Sequence, residues 1–385
     1  MTSKLHAAPI GQIEQPSWVK PIGSGGRALL DLLVKQGSAV QAHLPARLNL
    51  SQPSIARLVN GFIDDGLVTA SARSTPGRGN PSVTLRLAPD IAYGLGIGIV
   101  GDALSMAIVD LAGQVRGTRR IPLQDRSRAA VVAHLDAMRD DLVVSSGIAA
   151  DRIVGAGVGF AGFFVEGPLR FNPPAILADW IDADIPALLR PALGVSVLCD
   201  NVATTAAIAE SLLGVGRDCP TFAYCHLTNG FGGGLIADGK PVRGALGNAG
   251  DFGGVWWMLD QGYPNLDRLR AHVADAGTHY ATVEDMLEAL DSETPGVEAW
   301  LSEAQRPFTS LAFLLGHIVA PEKVVIGGRL PGWLAERLAA CIMVPASPER
   351  NGQPFRLPQI VARQVDGDAG AIGAALMPLQ AVFFA

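Results

Sequence analysis

The sequence predicts an α/β chain in two parts: a small helical head carrying a two-stranded hairpin, and a large body of buried strands and helices forming two similar lobes. Three observations carry this. A helical apolar period over residues 44–66 is followed by short alternating runs at Leu67–Thr69 and Val83–Leu87. Beyond Pro89-Asp90 the pattern changes to runs of small and apolar residues broken by glycine turns. Those runs alternate with helix-length segments, the order expected of an α/β body. With 385 residues, 49 % of them hydrophobic, and a mean hydropathy of +0.28, the chain can bury the cores of two or three domains.

The head can be read residue by residue. Ala42, Leu44 and Leu48 give a short helix that ends in a tight turn at Asn49-Leu50. Ser51 is a good N-cap, because its hydroxyl can accept from a free backbone N–H in the next first turn. Pro53 costs little there, since its missing N–H has no helical partner to lose. Leu50 and Ile55 can close a hydrophobic staple. Ile55, Leu58, Val59, Phe62 and Ile63 recur at helical spacing and predict one buried face. The opposite face carries Gln52, Ser54, Arg57 and Asn60, side chains that reach base edges and phosphates from a helix in the major groove. Gly66 closes the helix. The two alternating runs then form a wing with Arg73, Arg78 and Arg86, its tip at Thr75–Pro81. The whole reads as a winged helix-turn-helix for double-stranded DNA, with Ser51, Gln52, Ser54, Arg57, Asn60, Arg73 and Arg78 as contacts.

Charge agrees with this division. Residues 1–90 hold nine Lys/Arg against five Asp/Glu, and the remainder holds 21 against 31. A mildly basic head on an acidic body suits a nucleic-acid module joined to a part that avoids DNA. The four cysteines have no paired spacing and read as buried thiols, not as a disulfide frame or metal site. No apolar stretch approaches a membrane span, and the N-terminus lacks a signal-peptide core, so a soluble cytoplasmic protein is expected. Residues 1–22, with Pro9, Pro16 and Pro21, read as a flexible lead-in.

In the body, Tyr93–Val100 and Leu104–Leu111 predict a buried hairpin before the turn at Ala112-Gly113-Gln114. A helix is expected near 127–147, then strands at Ile153–Phe160 and Val195–Cys199 and a helix over Ala203–Leu213. Phe222–Leu227 and Gly233–Ala237 form a second hairpin around a glycine turn. Val324–Ile326 is a late strand, and Asp368–Leu376 begins a last helix.

These segments carry a family resemblance. Ile108–Gly113, Gly155–Gly162, Ala209–Gly214, Thr228–Gly234, Gly247–Gly253, Val325–Gly328 and Ala369–Ala375 stand in the order of the ROK family (repressors, open reading frames and sugar kinases). The resemblance spans nearly the whole chain, head included. It implies an actin- and hexokinase-like, ribonuclease H-like body of two lobes. The expected division is a lead-in at 1–22, the head at 23–88, a first lobe at 89–201 with about 370–385, and a second lobe at 202–369.

Departures from the family pattern are as telling as the matches. Family kinases open the body with Asp-x-Gly-Gly-Thr, whose acid helps hold the metal-nucleotide. The matching positions here are Gly98-Ile99-Val100-Gly101-Asp102, so the acid is missing and a carboxylate faces the phosphate place. The kinase base falls on Val202, which cannot accept a proton. General-base help is worth roughly 10²–10⁴ in rate. Asp200, two residues earlier on a strand, would lie roughly 6–7 Å away. The histidine of the family zinc site falls on Gly254, and no cysteine occurs between Cys225 and Cys341, so no zinc is expected. Val255–Met258 is expected to cover that place by apolar packing. Nucleotide binding and catalytic residues are not expected.

A sugar-contacting set survives by position: Asn172, Asn201, Asp251 and Asp267. Three functions compete. One is a transcriptional regulator of carbohydrate genes, most simply a repressor, acting as a homodimer or homotetramer and controlled by a small carbohydrate-like effector. Another is an active sugar kinase with a regulatory head. The last is a DNA-binding protein whose body has lost its ligand.

Overall fold

Two sheets of one topology organise the body. In the first, Tyr93–Ile99, Ala103–Asp110 and Val115–Pro122 form an antiparallel meander, and Ile153–Phe160 and Val197–Asn201 add in parallel beyond Tyr93–Ile99. In the second, Phe222–Leu227, Phe231–Ala237 and Lys240–Val242 form the meander, and Lys323–Gly328 and Gln359–Ala362 add in parallel. The structure is a computed structural model and describes residues 9–73, 82–165, 170–259, 264–345, 349 and 351–385.

The turn at Ala112–Gln114 leads to a strand the sequence reading passes over. Gly113 takes a positive φ of 83°, and the buried Asp110 carboxylate accepts from the Gln114 N–H at 2.9 Å. The chain then returns as Val115–Pro122, an edge strand with no buried residue. Its arginines and threonine gave no apolar alternation to detect.

The fifth strand of each sheet feeds a helix. Val197–Asn201 runs into Val202–Leu213, and Gln359–Ala362 precedes the C-terminal helix Ala369–Phe383. These two helices pack on each other between the sheets, the C-terminal one on Tyr93–Ile99 and Ile153–Phe160, the other on Phe231–Ala237. Glycines set that closeness. A Cβ on Gly94 or Gly96 would fall 1.9 Å from the carbonyl oxygen of Ala375 or Ala371, and one on Gly157 2.0 Å from that of Ala374. The alternating glycines of Tyr93–Ile99 are therefore a flat face against which a helix backbone lies directly.

The head holds three helices, Ser24–Gln36, Leu44–Leu48 and Gln52–Asp64, and a small antiparallel sheet. Asn49 turns the chain in the left-handed region, and the Ser51 hydroxyl accepts from the Ser54 N–H at 3.3 Å. Ile55, Val59 and Phe62 are buried, with Leu58 half-buried. Ile63, expected on the buried face, is 39 % exposed, because the helix has only one packed stripe and Phe62 fills it. Val68–Arg73 pairs with Ser82–Leu87, and Ala39-Val40 pairs with the latter.

The head is not tethered by a free linker. Leu29, Leu30, Leu33 and Val34 of its first helix belong to the same apolar core as Ile208, Leu212, Met377 and Phe383 of the two inter-sheet helices. The Arg27 guanidinium donates to the carbonyls of Ala381 and Phe384, each at 3.1 Å.

The lead-in needs a correction. Residues 9–22 are packed: Ile10-Gly11 pairs antiparallel with Leu198-Cys199 at the edge of the first sheet, and Ile10 and Val19 are buried. The Glu14 N–H donates to the Ser196 hydroxyl at 3.3 Å. The prolines bend a strap here; they do not mark a loose tail. Residues 1–8 lie outside the described residues. Among the described residues no helix is long and apolar enough to cross a membrane.

Candidate functional site

A cavity of about 370 Å³ opens between the two lobes. Three of the four sugar-contacting residues expected from sequence line it: Asn172, Asn201 and Asp251. Asn172 stands on a short hairpin, paired with Phe163. Asn201 ends its strand and caps Val202–Leu213: its Oδ1 accepts from the N–H groups of Ala203 at 2.8 Å and Thr204 at 3.3 Å, and its Nδ2 donates to the Gly162 carbonyl at 2.6 Å. The amide thus reaches the cavity as the start of a helix already engaged. Asp251 is exposed at the mouth and accepts from the Gly253 N–H at 3.3 Å.

Asp267 is not in this group. It lies in the first turn of Leu266–Asp275, where an acid suits the positive helix end. It accepts from the Asn229 amide at 3.5 Å and pairs with Arg270 at 3.8 Å. Its expected contact with a ligand is therefore corrected.

Val202, the position to which the family resemblance assigns a kinase's base, lines the cavity. Asp200 does not substitute. It is fully buried and ion-paired with Arg243 at 2.6 Å, and its other oxygen accepts from the Asn201 N–H at 2.8 Å. The neighbouring Glu210 is likewise structural: its carboxylate accepts from the N–H groups of Val215, Gln364 and Val365 at 2.9–3.0 Å, although burial raises its pKa.

The other end of the cleft is filled by charge. Arg120 reaches Glu284 and Asp368, each at 3.0 Å, and Arg329 reaches Asp102 at 2.8 Å and also pairs with Glu284. Asp102 and Arg120 belong to the first lobe, Glu284 and Arg329 to the second, and Asp368 caps the C-terminal helix. Burial works against the Asp368 charge, yet Arg120 and the Ser105 hydroxyl hold its carboxyl below the usual range. A Cβ on Gly98 would meet the Ser105 hydroxyl at 2.4 Å. A nucleotide phosphate does not fit this end: the place of the family acid is taken by Ser105, and the arginines are occupied by three carboxylates.

The zinc donors do not fit either. Gly254 lines the cavity, and among the described residues no three His, Cys, Asp or Glu side chains group for a metal. Cys199, Cys219 and Cys225 are buried, with burial raising each thiol. The helix Gly253–Leu259 seats Trp256 against Phe231 and Phe308, with ring centroids at 5.2 and 5.6 Å.

Two residues, one beside the cavity and one in its wall, escape sequence reasoning. Asn248 bridges the lobes, accepting from the Phe164 N–H at 2.7 Å and donating to its carbonyl at 2.8 Å. His226 lines the cavity floor at 5 % exposure. The one signal for His226 was a histidine inside an otherwise apolar strand.

On the head, Gln52, Arg57 and Asn60 are exposed on one face of Gln52–Asp64, with Ser51 exposed at its cap and Ser54 half-buried. The Arg73 backbone ends the first hairpin strand opposite Ser82. Arg78 lies outside the described residues.

Comparison with known proteins agrees with this geometry. The chain is 28 % identical to an uncharacterised protein, y4fQ, of Sinorhizobium fredii, over 93 % of this chain and 91 % of that one. It is 25 % identical to a glucokinase of Halalkalibacterium halodurans, over 72 % of this chain and 92 % of the other. A xylose repressor of Bacillus spizizenii is 22 % identical over 63 % of this chain and 62 % of its own. The fold is shared with a solved ROK family transcriptional regulator, a homologue of the E. coli MLC protein, at a TM-score of 0.59 and 18 % identity, covering 93 % of this chain and 96 % of that one. Residues 93–262 match the ROK family.

Proposed function

We propose that this chain is a DNA-binding transcriptional regulator, a repressor, whose body holds a small carbohydrate and transfers no phosphoryl group. The observation that carries the reading is one shared helix. Val202–Leu213 begins at the cavity under the Asn201 cap and packs against Ser24–Gln36 of the head. A ligand that moves the cap therefore pushes on the head through a rigid element, and ligand and DNA affinities are linked reciprocally.

The head is a winged helix-turn-helix in this reading. Gln52–Asp64 enters the major groove with Gln52, Ser54, Arg57 and Asn60, and Ser51, Arg73 and Arg78 meet the phosphates. The likeness in fold to a regulator over 93 % of the chain, head included, supports it. Asn172, Asn201 and Asp251 supply the donors and acceptors that sugar hydroxyls need. Val202 in place of a base and the ion cluster in place of phosphates argue against kinase chemistry. The working form is a cytoplasmic homodimer or homotetramer reading half-sites spaced by whole helical turns.

Selection of genomic fragments by the full-length protein would define an operator. Arg57→Ala should then weaken operator binding by about 1–3 kcal/mol in fluorescence anisotropy, with a smaller loss on random DNA. Equal loss on both DNAs sinks the base-reading role, and no sequence preference at all sinks the regulator. Glucokinase relatives make phosphorylation the competing reading: ATP-dependent turnover of glucose or xylose would establish it.

A further inference from the structure

A second cavity, of about 100 Å³, lies in the seam between head and body, away from the interlobe cleft. Three stretches of chain meet there: the strap at Trp18–Ile22, the end of Gln52–Asp64 with the turn after it, and the crossing into the body at Ile91. Arg152, just before the strand Ile153–Phe160, closes the body side. The walls are apolar: Phe62 and Leu67 are buried, and the Trp18 ring and Ile91 are half-buried.

Charge on this lining is uneven. Lys20 and Asp65 pair with each other, and Asp64 adds to the field on the Lys20 ammonium. Arg152 is different. It is half-buried and meets no carboxylate among the described residues, and its guanidinium carbon lies 4.9 Å from the centroid of the Trp18 ring. The described lining thus holds two cations and one carboxylate, a net charge of +1. A guanidinium stacked on an aromatic face keeps its N–H edge for a planar acceptor, and a carboxylate matches that edge with two parallel hydrogen bonds. A ligand with a second negative charge would exceed the +1 and face Asp65. Size narrows the choice further. An apolar cavity of roughly 150 Å³ takes a benzene ring, so about 100 Å³ takes roughly four heavy atoms, a short chain and not a ring.

We propose that this seam binds a short aliphatic monocarboxylate, its chain among Phe62, Leu67 and Ile91 and its carboxylate on Arg152. Phe62 and Leu67 belong to the head and Arg152 to the body, so the bound acid bridges the two. The site is separate from the interlobe cavity, and its test needs neither a sugar nor DNA. Titration calorimetry on the full-length protein would use butyrate, with butyramide as its uncharged match and benzoate as the oversized acid, all at one ionic strength. Butyrate should bind with a dissociation constant of about 1 mM, within reach of a ligand of six heavy atoms. Butyramide and benzoate should each bind at least about tenfold more weakly. Arg152→Gln, which removes the charge, and Ile91→Phe, which fills the cavity, should each lose about tenfold or more. Where these variants fail to fold, hydrogen exchange of the wild type gives the answer. The Leu67 amide, which donates to the Phe62 carbonyl at 2.8 Å, should exchange several-fold more slowly under saturating butyrate. No binding of butyrate overturns the inference, as does equal or tighter binding of butyramide or benzoate. So does wild-type affinity in folded Arg152→Gln or Ile91→Phe, or unchanged exchange at Leu67. Loss of butyrate binding in Asn172→Ala would put the acid in the interlobe cavity and overturns it too. Each of these outcomes leaves the proposed regulator standing.

Discussion

The two ends of the interlobe cleft are made of opposite materials. One end is an open space of about 370 Å³ walled by amides, aromatic rings and glycines, with Asp251 as the only carboxylate on its described lining. The other end is packed with two guanidiniums and three carboxylates drawn from both lobes. In a fold shared with kinases, one half of the cleft keeps room for a guest while the protein's own side chains fill the other. The charged end ties the lobes together, and the uncharged end stays open.

The largest expected effect comes from breaking the charged end. Arg329→Met removes a side chain that is only 11 % exposed and leaves Asp102 and Glu284 facing each other without it. A loss of about 3 kcal/mol in urea denaturation is expected, since three carboxylates are then left to Arg120 alone in a partly dry site. A loss under about 0.5 kcal/mol would show that the cluster only decorates the surface.

The boundary between the two ends predicts a pH effect. Burial holds the His226 pKa at about 4, below its ordinary 6.5, so the folded chain refuses a proton that the unfolded chain takes. Its contribution is complete above pH 6.5 and is lost as pH falls towards 4. The Asp368 carboxyl, held below its ordinary 3.8, adds its loss only in stronger acid. Between pH 7 and 5 the wild type should lose about 2 kcal/mol from His226, and His226→Gln should flatten that slope. Equal slopes in both proteins would remove His226 from the account.

The smallest effect tests the uncharged end. Asn248→Ala deletes two hydrogen bonds to Phe164 beside the cavity. About 1 kcal/mol of local stability should go, read as faster amide exchange at Phe164 with global unfolding little changed. Unchanged exchange there would mean that Phe163-Phe164 is held by something else.

Much of this was legible in the chain. The Ser51 cap, the Asn49 turn and Gly66 after Gln52–Asp64 are local signals, set by residues within a few positions of each other. Asp251 was placed by its glycine motif, Asn172 by its Phe-Asn-Pro loop and Asn201 by its distance from Ala209-Glu210, all within the family order. What stayed hidden is non-local or polar. The pairing of Arg329 with Asp102 joins residues 227 positions apart, and no window of sequence contains it. Val115–Pro122 was missed because an exposed edge strand has no apolar face. Asp267 was misplaced because a carboxylate in a helix's first turn looks the same in sequence whether it faces a cavity or caps an end. Asn201 was read for its amide alone, and its part as a helix cap appeared only once Val202–Leu213 was seen to start there.

The seating of Ser24–Gln36 on the two inter-sheet helices has a practical meaning for anyone who would cut this molecule. Leu29, Leu30, Leu33 and Val34 face the body's own core, and Arg27 ends on carbonyls near the C-terminus. Severing the chain near Pro89 would strip an oily patch bare on each fragment, and trimming the last residues would loosen the front of the protein. Head and body are welded through one apolar core, so a turn of Ser24–Gln36 is a turn against the whole frame.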